Sequence, residues 1–182
     1  MHSATTERQA IKLKASPTDW DRIYTEHAPR VFNYFRFRLR ASADAEDLTS
    51  RTFEKAWAAR AKYRSDLAGV ATWLFAIAQN VAIDHFRARR NDISIDDAPE
   101  RADASAPEDE AERDSDLARL AFLTQDLPDQ QRELLALKYG AVATNREIAK
   151  LTGLSESNVG TMLHRMVQSL RSRWSQEKCD ER

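Results

Sequence analysis

Residues 144–165 read TNREIAKLTGLSESNVGTMLHR. Thr144 and Glu147 stand three apart, the spacing at which hydroxyl and carboxylate each reach the other's backbone amide and open a helix. That helix is expected to be short, Glu147 to Leu151, because Thr152-Gly153-Leu154 turns the chain. Gly153 takes the positive φ of a tight turn without steric cost. Ser155 is a good cap for a second, longer helix reaching about Trp174. Ala149 is small where the two helices approach, and Val159, Leu163 and Val167 form the inner face of the second helix, near Ile148. Its outer face shows Glu156, Ser157, Gly160, Thr161, His164 and Arg165. Short helix, glycine turn and long capped helix is the helix-turn-helix pattern, whose second helix meets base edges and phosphates in a major groove. An αα-hairpin with no DNA role is the plainer alternative.

Upstream, Pro128 at a first-turn position opens a helix holding Leu134, Leu135 and Leu137, with Gly140 expected as its left-handed cap. Leu117, Leu120, Ala121 and Leu123 begin this C-terminal part. The N-terminal part also reads as helices. One carries Ile23, Tyr24, Val31, Phe32, Phe35 and Leu39, with Pro29 at its start or at a kink. A second starts near Asp44 and runs to about Tyr63 with Leu48, Thr52, Phe53, Ala56 and Trp57 in one stripe. Asp66 to Gly69 breaks the pattern. A third helix then carries Val70, Trp73, Leu74, Ile77, Val81 and Phe86, and ends in Arg87, Arg89 and Arg90, where cations suit the helix dipole.

Residues 91–116 separate the two parts. They hold 11 Asp or Glu and 2 Arg, so the near-neutral total of −1 hides a remainder with 26 basic and 18 acidic side chains. Basic ends on an acidic tether suggest that the ends meet a polyanion; a merely solubilising linker is the alternative. With 182 residues, 42% hydrophobic, 31% charged and only 4 Gly, the chain is expected to be all-α. Two small helical domains at 18–90 and 117–174 are joined by a flexible acidic linker at 91–116, with tails at 1–17 and 175–182. No apolar stretch approaches the roughly 20 residues of a membrane span. The N-terminus lacks the apolar core of a signal peptide, and the single cysteine, Cys179, excludes internal disulfides and thiolate clusters. A cytoplasmic location and no membrane insertion are expected.

Little else carries chemistry. Asp44, Glu46 and Asp47 cluster, but no His or further acid lies at metal-ligand spacing, and a first helical turn favours acids anyway. His27, His85 and His164 are isolated, so no catalytic residues, metal or cofactor are expected. Trp57 and Trp73 read as core residues. The loop Lys62-Tyr63-Arg64-Ser65-Asp66 mixes positive charge with an aromatic, a weak sign of single-strand contact.

Taken together, the chain resembles a σ70-family sigma factor of the extracytoplasmic-function type, the compact class with only the σ2 and σ4 domains. Asp44-Ala45-Glu46-Asp47-Leu48, Thr52-Phe53 and Ala56-Trp57 look like that family's core-polymerase-binding helix. Trp73-Leu74, Ile77-Ala78-Gln79-Asn80, Ala82-Ile83-Asp84 and Phe86-Arg87 look like its promoter-melting helix. Leu127-Pro128, Arg132-Glu133 and Leu134-Leu135 are similar to the opening of σ4, and Glu147-Ile148-Ala149, Gly153-Leu154-Ser155, Val159 and Leu163-His164-Arg165 to its helix-turn-helix.

The resemblance implies a non-enzymatic promoter-specificity subunit of RNA polymerase. Asp44, Glu46, Asp47, Leu48, Phe53 and Trp57 would serve the β′ clamp helices. Lys62, Tyr63, Arg64, Asn80, Asp84, Arg87, Arg89 and Arg90 would meet the melted −10 element. Arg146, Ser155, Glu156, Ser157, Asn158, Thr161, His164 and Arg165 would read the −35 element. The surface near Leu134–Tyr139 would face the β flap, and a cognate anti-sigma factor is expected. This chain departs from the family pattern at Ser50 and Arg51, where a Gln and an acid are usual, and at Gly160 and Met162, where basic residues are usual. An autonomous duplex-binding regulator and a metal enzyme built on Asp44, Glu46 and Asp47 are the rival readings.

Overall fold

The computed structural model describes residues 19–39, 43–92, 123–124 and 126–180. The tail at 1–17, most of the acidic linker, and Leu117, Leu120 and Ala121 lie outside these. Among the described residues every regular element is helical: α1 (Trp20–Arg38), α2 (Ala43–Ala59) with a 3-10 turn (Arg60–Lys62), α3 (Val70–Asp92), α4 (Asp129–Leu135) with a π-helical turn (Ala136–Gly140), α5 (Asn145–Thr152) and α6 (Glu156–Asp180). The last helix thus runs six residues beyond its expected end at Trp174.

Asp19 caps α1, its carboxylate accepting from the Arg22 amide at 3.2 Å. Asp21 in the first turn and Arg36 and Arg38 in the last complement the dipole. Pro29 lies inside this helix, not at its start. Ile23, His27, Val31, Tyr34, Phe35 and Arg38 recur at three- and four-residue steps and are buried. Against them pack Ala45, Leu48 and Ala56 of α2 and Leu74, Phe75, Ala78, Val81 and Ala82 of α3. Thr49 and Thr52 are buried in α2 because their hydroxyls donate to Ala45 O and Leu48 O, both at 2.7 Å.

The two parts that the sequence divides are pressed together, and their apolar residues form one continuous core from Ile23 to Met166. The π-helical turn lies along α1, and α5 touches α3. Gly140, expected as a left-handed cap, has no positive φ; Gly153 is the glycine that does, at +73°. Gly140 serves close approach instead: a Cβ there would sit 2.7 Å from Asn33 O and 2.8 Å from the Tyr34 Cα. The left-handed residue in this connection is Val142, at φ +53°, whose strain is held in place from α1. Arg30 donates from Nε to Ala141 O at 2.8 Å and from Nη2 to Val142 O at 3.5 Å.

His27 lies one turn from that strut, with Nδ1 3.4 Å from Arg30 Nη1. Burial holds its pKa below the ordinary 6.5, and the Arg30 charge adds to this against the opposing pull of Glu26. The unfolded chain therefore binds the His27 proton more readily than the folded one. The stability this group confers is fully present above 6.5 and falls as pH drops below it, toward the lowered folded-state value. His27→Gln should flatten the thermal-stability profile over that acid limb, read by melting at a series of pH values.

Candidate nucleic-acid interface

The helix-turn-helix forms as its spacing predicts. Thr144 accepts from the Glu147 amide at 3.2 Å while the Glu147 carboxylate accepts from the Thr144 amide at 2.8 Å. These bonds, with nearby Arg30 and Lys150, outweigh desolvation and lower the Glu147 pKa. Gly153 ends α5, its amide donating to Ala149 O at 2.9 Å. Ser155 caps α6 by accepting from the Asn158 amide at 3.2 Å. Ile148 and Val159 are fully buried and Leu163 nearly so, which fixes the two helices against each other.

What remains outward on α6 is Glu156, Ser157, Asn158, Thr161, His164 and Arg165, all exposed, with exposed Ser155 at the cap and Arg146 alongside. Arg146 Nε lies 3.6 Å from Glu156 Oε2, across the turn. The group is a polar ridge at a helix N-terminus, where backbone amides and the dipole favour phosphate. Gly160 is not part of it. It is half-buried and faces α5, where an added Cβ would meet only Asn145 Nδ2 at 3.4 Å. Gly160→Ala should therefore raise stability by about 1 kcal/mol through helix propensity, read by denaturant melting, without altering the outward ridge.

The N-terminal bundle presents a second surface around residues 60–69. The Tyr63 hydroxyl donates to Ala68 O at 3.1 Å, closing the loop, and burial raises its pKa. Its ring lies 5.0 Å from that of Trp73. Trp20 sits edge-on to both Trp57, at 5.5 Å, and Trp73, at 6.2 Å. Trp57 is 51% exposed rather than a core residue, and the Arg60 guanidinium stacks 4.0 Å over its ring. Trp20 and Arg60 are absent from the expected site, since only tertiary packing brings Trp20 here. Lys62 and Arg64 are exposed, and Arg64 Nη2 pairs with Asp66 at 2.6 Å. That bond holds the Asp66 carboxyl below and the Arg64 guanidinium above their ordinary values.

Asn80, Asp84, Arg87 and Arg89 are exposed along α3; the side chain of Arg90 lies outside the described residues. Asp84 and Arg89 also tie the bundle together, with Lys55 Nζ 3.0 Å from Asp84 and Arg89 Nη1 3.4 Å from Asp44. On α2, Glu46, Asp47 and Trp57 face outward, whereas Leu48 and Phe53 are buried and act by holding the helix. Arg51 pairs with Asp47 at 2.9 Å. Among the described residues no group of three or more His, Cys, Asp and Glu could hold a metal ion, and no helix is long and apolar enough to cross a membrane.

Two family models match the chain: Sigma-70 region 2 over residues 23–91 and Sigma-70, region 4 over residues 117–170. Over 153 residues the chain is 29% identical to the ECF RNA polymerase sigma factor BldN of Streptomyces coelicolor, covering 82% of this chain and 58% of that protein. It is 28% identical over 162 residues to the ECF RNA polymerase sigma factor SigM of Bacillus subtilis, covering 88% and 98%. Among solved structures, the sigma factor RpoE of Bartonella quintana, in complex with the anti-sigma factor NepR, has a similar fold, with TM-score 0.66 and 20% identity over 85% of this chain and 95% of that one.

Proposed function

Because the chain belongs to the σ70 family of RNA polymerase sigma factors, as an extracytoplasmic-function member, we propose that it directs core polymerase to promoters by reading two DNA elements with two separate surfaces. The observation that carries this reading is the outward polar ridge of α6 on one bundle and the aromatic, basic loop with α3 on the other. The ridge from Ser155 to Arg165, with Arg146, suits the −35 duplex. Lys62, Tyr63 and Arg64, with Asn80, Asp84, Arg87, Arg89 and Arg90, suit unpaired −10 DNA, where aromatics stack on bases and cations meet phosphate.

Glu46, Asp47 and Trp57, with Asp44 at the start of α2, form the surface for the β′ clamp helices, and the Leu134–Tyr139 segment, whose first four residues are buried here and whose Tyr139 is exposed, supplies that for the β flap. The functional domains run over 18–90 and 117–174. Sigma factors are initiation factors that catalyse nothing themselves, and this chain acts in the cytoplasm without a catalytic centre. By analogy with the RpoE–NepR complex, it is held by a cognate anti-sigma factor.

Run-off transcription from genomic fragments, with and without bacterial core polymerase, tests this. Defined starts only when both are present are expected. Duplex binding by the chain alone, with no promoter-specific transcript from active core, would favour an autonomous regulator.

A further inference from the structure

The last helix borders a cavity that neither DNA-reading surface uses. Val167, Leu170 and Trp174 stand three and four residues apart, so they share one face of α6. With Leu135 of α4, Tyr139 of the π-helical turn and Phe37 near the end of α1, they line a space of about 570 Å³. Small-molecule sites span roughly 300–1,000 Å³ and are likewise apolar, with a few placed polar groups. Two arginines hold the wall between α4 and α6. Arg132 Nη2 donates to Leu127 O and Arg173 Nη1 to Leu123 O, both at 2.9 Å. The backbone leading into α4 is thus tied to a helix on either side. Protein interiors are otherwise close-packed, so a space of this size marks walls that do not collapse onto one another.

The charges at this cavity are of one sign. Arg132 and Arg171 line it, and among the described residues no Asp or Glu does. Arg132 is anchored to the Leu127 carbonyl and lies 3.6 Å from Asp129. Arg171 is exposed on α6 and pairs with no carboxylate among the described residues. A cationic ligand would be repelled, and a neutral one would leave the Arg171 charge unanswered. A carboxylate meets the guanidinium fork in a charge-assisted bond, and an alkyl body suits the apolar walls. We propose that the cavity binds an amphiphilic monoanion of the fatty-acid class, with its chain among Leu135, Val167, Leu170 and Trp174 and its carboxylate at Arg171. Leu135 and Tyr139 also belong to the segment proposed for the β flap. On the sigma-factor reading, an occupied cavity therefore competes with core polymerase, whereas ligand binding itself does not depend on that reading.

Isothermal titration calorimetry of the full chain with sodium octanoate, decanoate and dodecanoate, kept below micelle formation, tests the site. One ligand should bind per chain, about fourfold more tightly for each added methylene. The melting temperature should rise with ligand concentration, as it does when a ligand selects the folded state. Arg171→Gln, at an exposed position, should weaken decanoate about tenfold by loss of one charge-assisted bond and leave 1-decanol unchanged. Leu170→Trp fills the cavity and should bind neither ligand measurably, with helicity checked by circular dichroism. Saturating decanoate should weaken core binding by the parent and not by Leu170→Trp. A melting temperature lowered by ligand, or equal decanoate affinity in the parent and Arg171→Gln, would overturn the proposal. So would a parallel loss of decanol and decanoate binding in Arg171→Gln. Core affinity undiminished by saturating decanoate would overturn the competition. A parent that binds no core, with the calorimetry as expected, would instead remove the sigma-factor reading.

Discussion

Replacing Lys62, Arg64 and Arg87 together with Ala should cost the polymerase complex about two decades of affinity for a single-stranded −10 oligonucleotide at 0.1 M salt, and almost nothing at 1 M. Each phosphate contact to single-stranded DNA contributes about 0.7 to the slope of log affinity against log salt, so three contacts carry a slope change of about 2. All three side chains are exposed, so little of the loss should come from folding. Arg64 is paired with Asp66 in the free chain, but an exposed pair is worth little in salt and exchanges readily for phosphate. The measurement is a salt titration by fluorescence anisotropy with reconstituted polymerase. An unchanged slope would remove these residues from the DNA path. A uniform loss at every salt concentration would point to lost bases or polymerase contacts instead of phosphate.

Ile148→Ala should destabilise the protein by about 3 kcal/mol, within the range for deleting a buried aliphatic side chain, whereas Arg165→Ala should change stability by less than about 0.5 kcal/mol. Ile148 is fully buried at the contact between α5 and α6, where its loss leaves a cavity beside Val159. Arg165 is exposed on the outward ridge. Denaturant melting reads the first effect. Transcription from a −35-dependent promoter should fall for both, for different reasons: at low temperature Ile148→Ala should recover in part as the fold is restored, while Arg165→Ala should not. Recovery of Arg165→Ala on cooling would argue against a direct role in DNA binding.

Local rules carried the helix-turn-helix. The Thr144–Glu147 capping box, the positive φ of Gly153 and the Ser155 cap each depend on residues within four positions, so their geometry follows from spacing alone. The apolar stripes of α1 to α3 were equally legible, because burial on one face imposes a period near 3.6. Legibility failed where a side chain's partner is distant in the chain. Gly140 looks like a helix stop in sequence, but its neighbour is the backbone at Asn33 and Tyr34. Trp57, on the apolar stripe of α2, is half exposed under the Arg60 guanidinium. Gly160, three residues from buried Leu163 and on the nominally outward side, looks across at Asn145.

By itself, then, the sequence determined the helices, the caps of the helix-turn-helix and the resemblance to sigma factors, since these rest on short-range hydrogen bonding, periodic burial and motif spacing. Only the tertiary structure decided that Tyr34, Arg38 and Gln79 converge on Glu133 and that the two bundles share a core. Those donors stand 54 to 99 positions from their acceptor. Nothing in the local pattern distinguishes such a partly buried carboxylate from any other helix-surface Glu, because its partners are chosen by how whole helices pack and not by their neighbours in the chain.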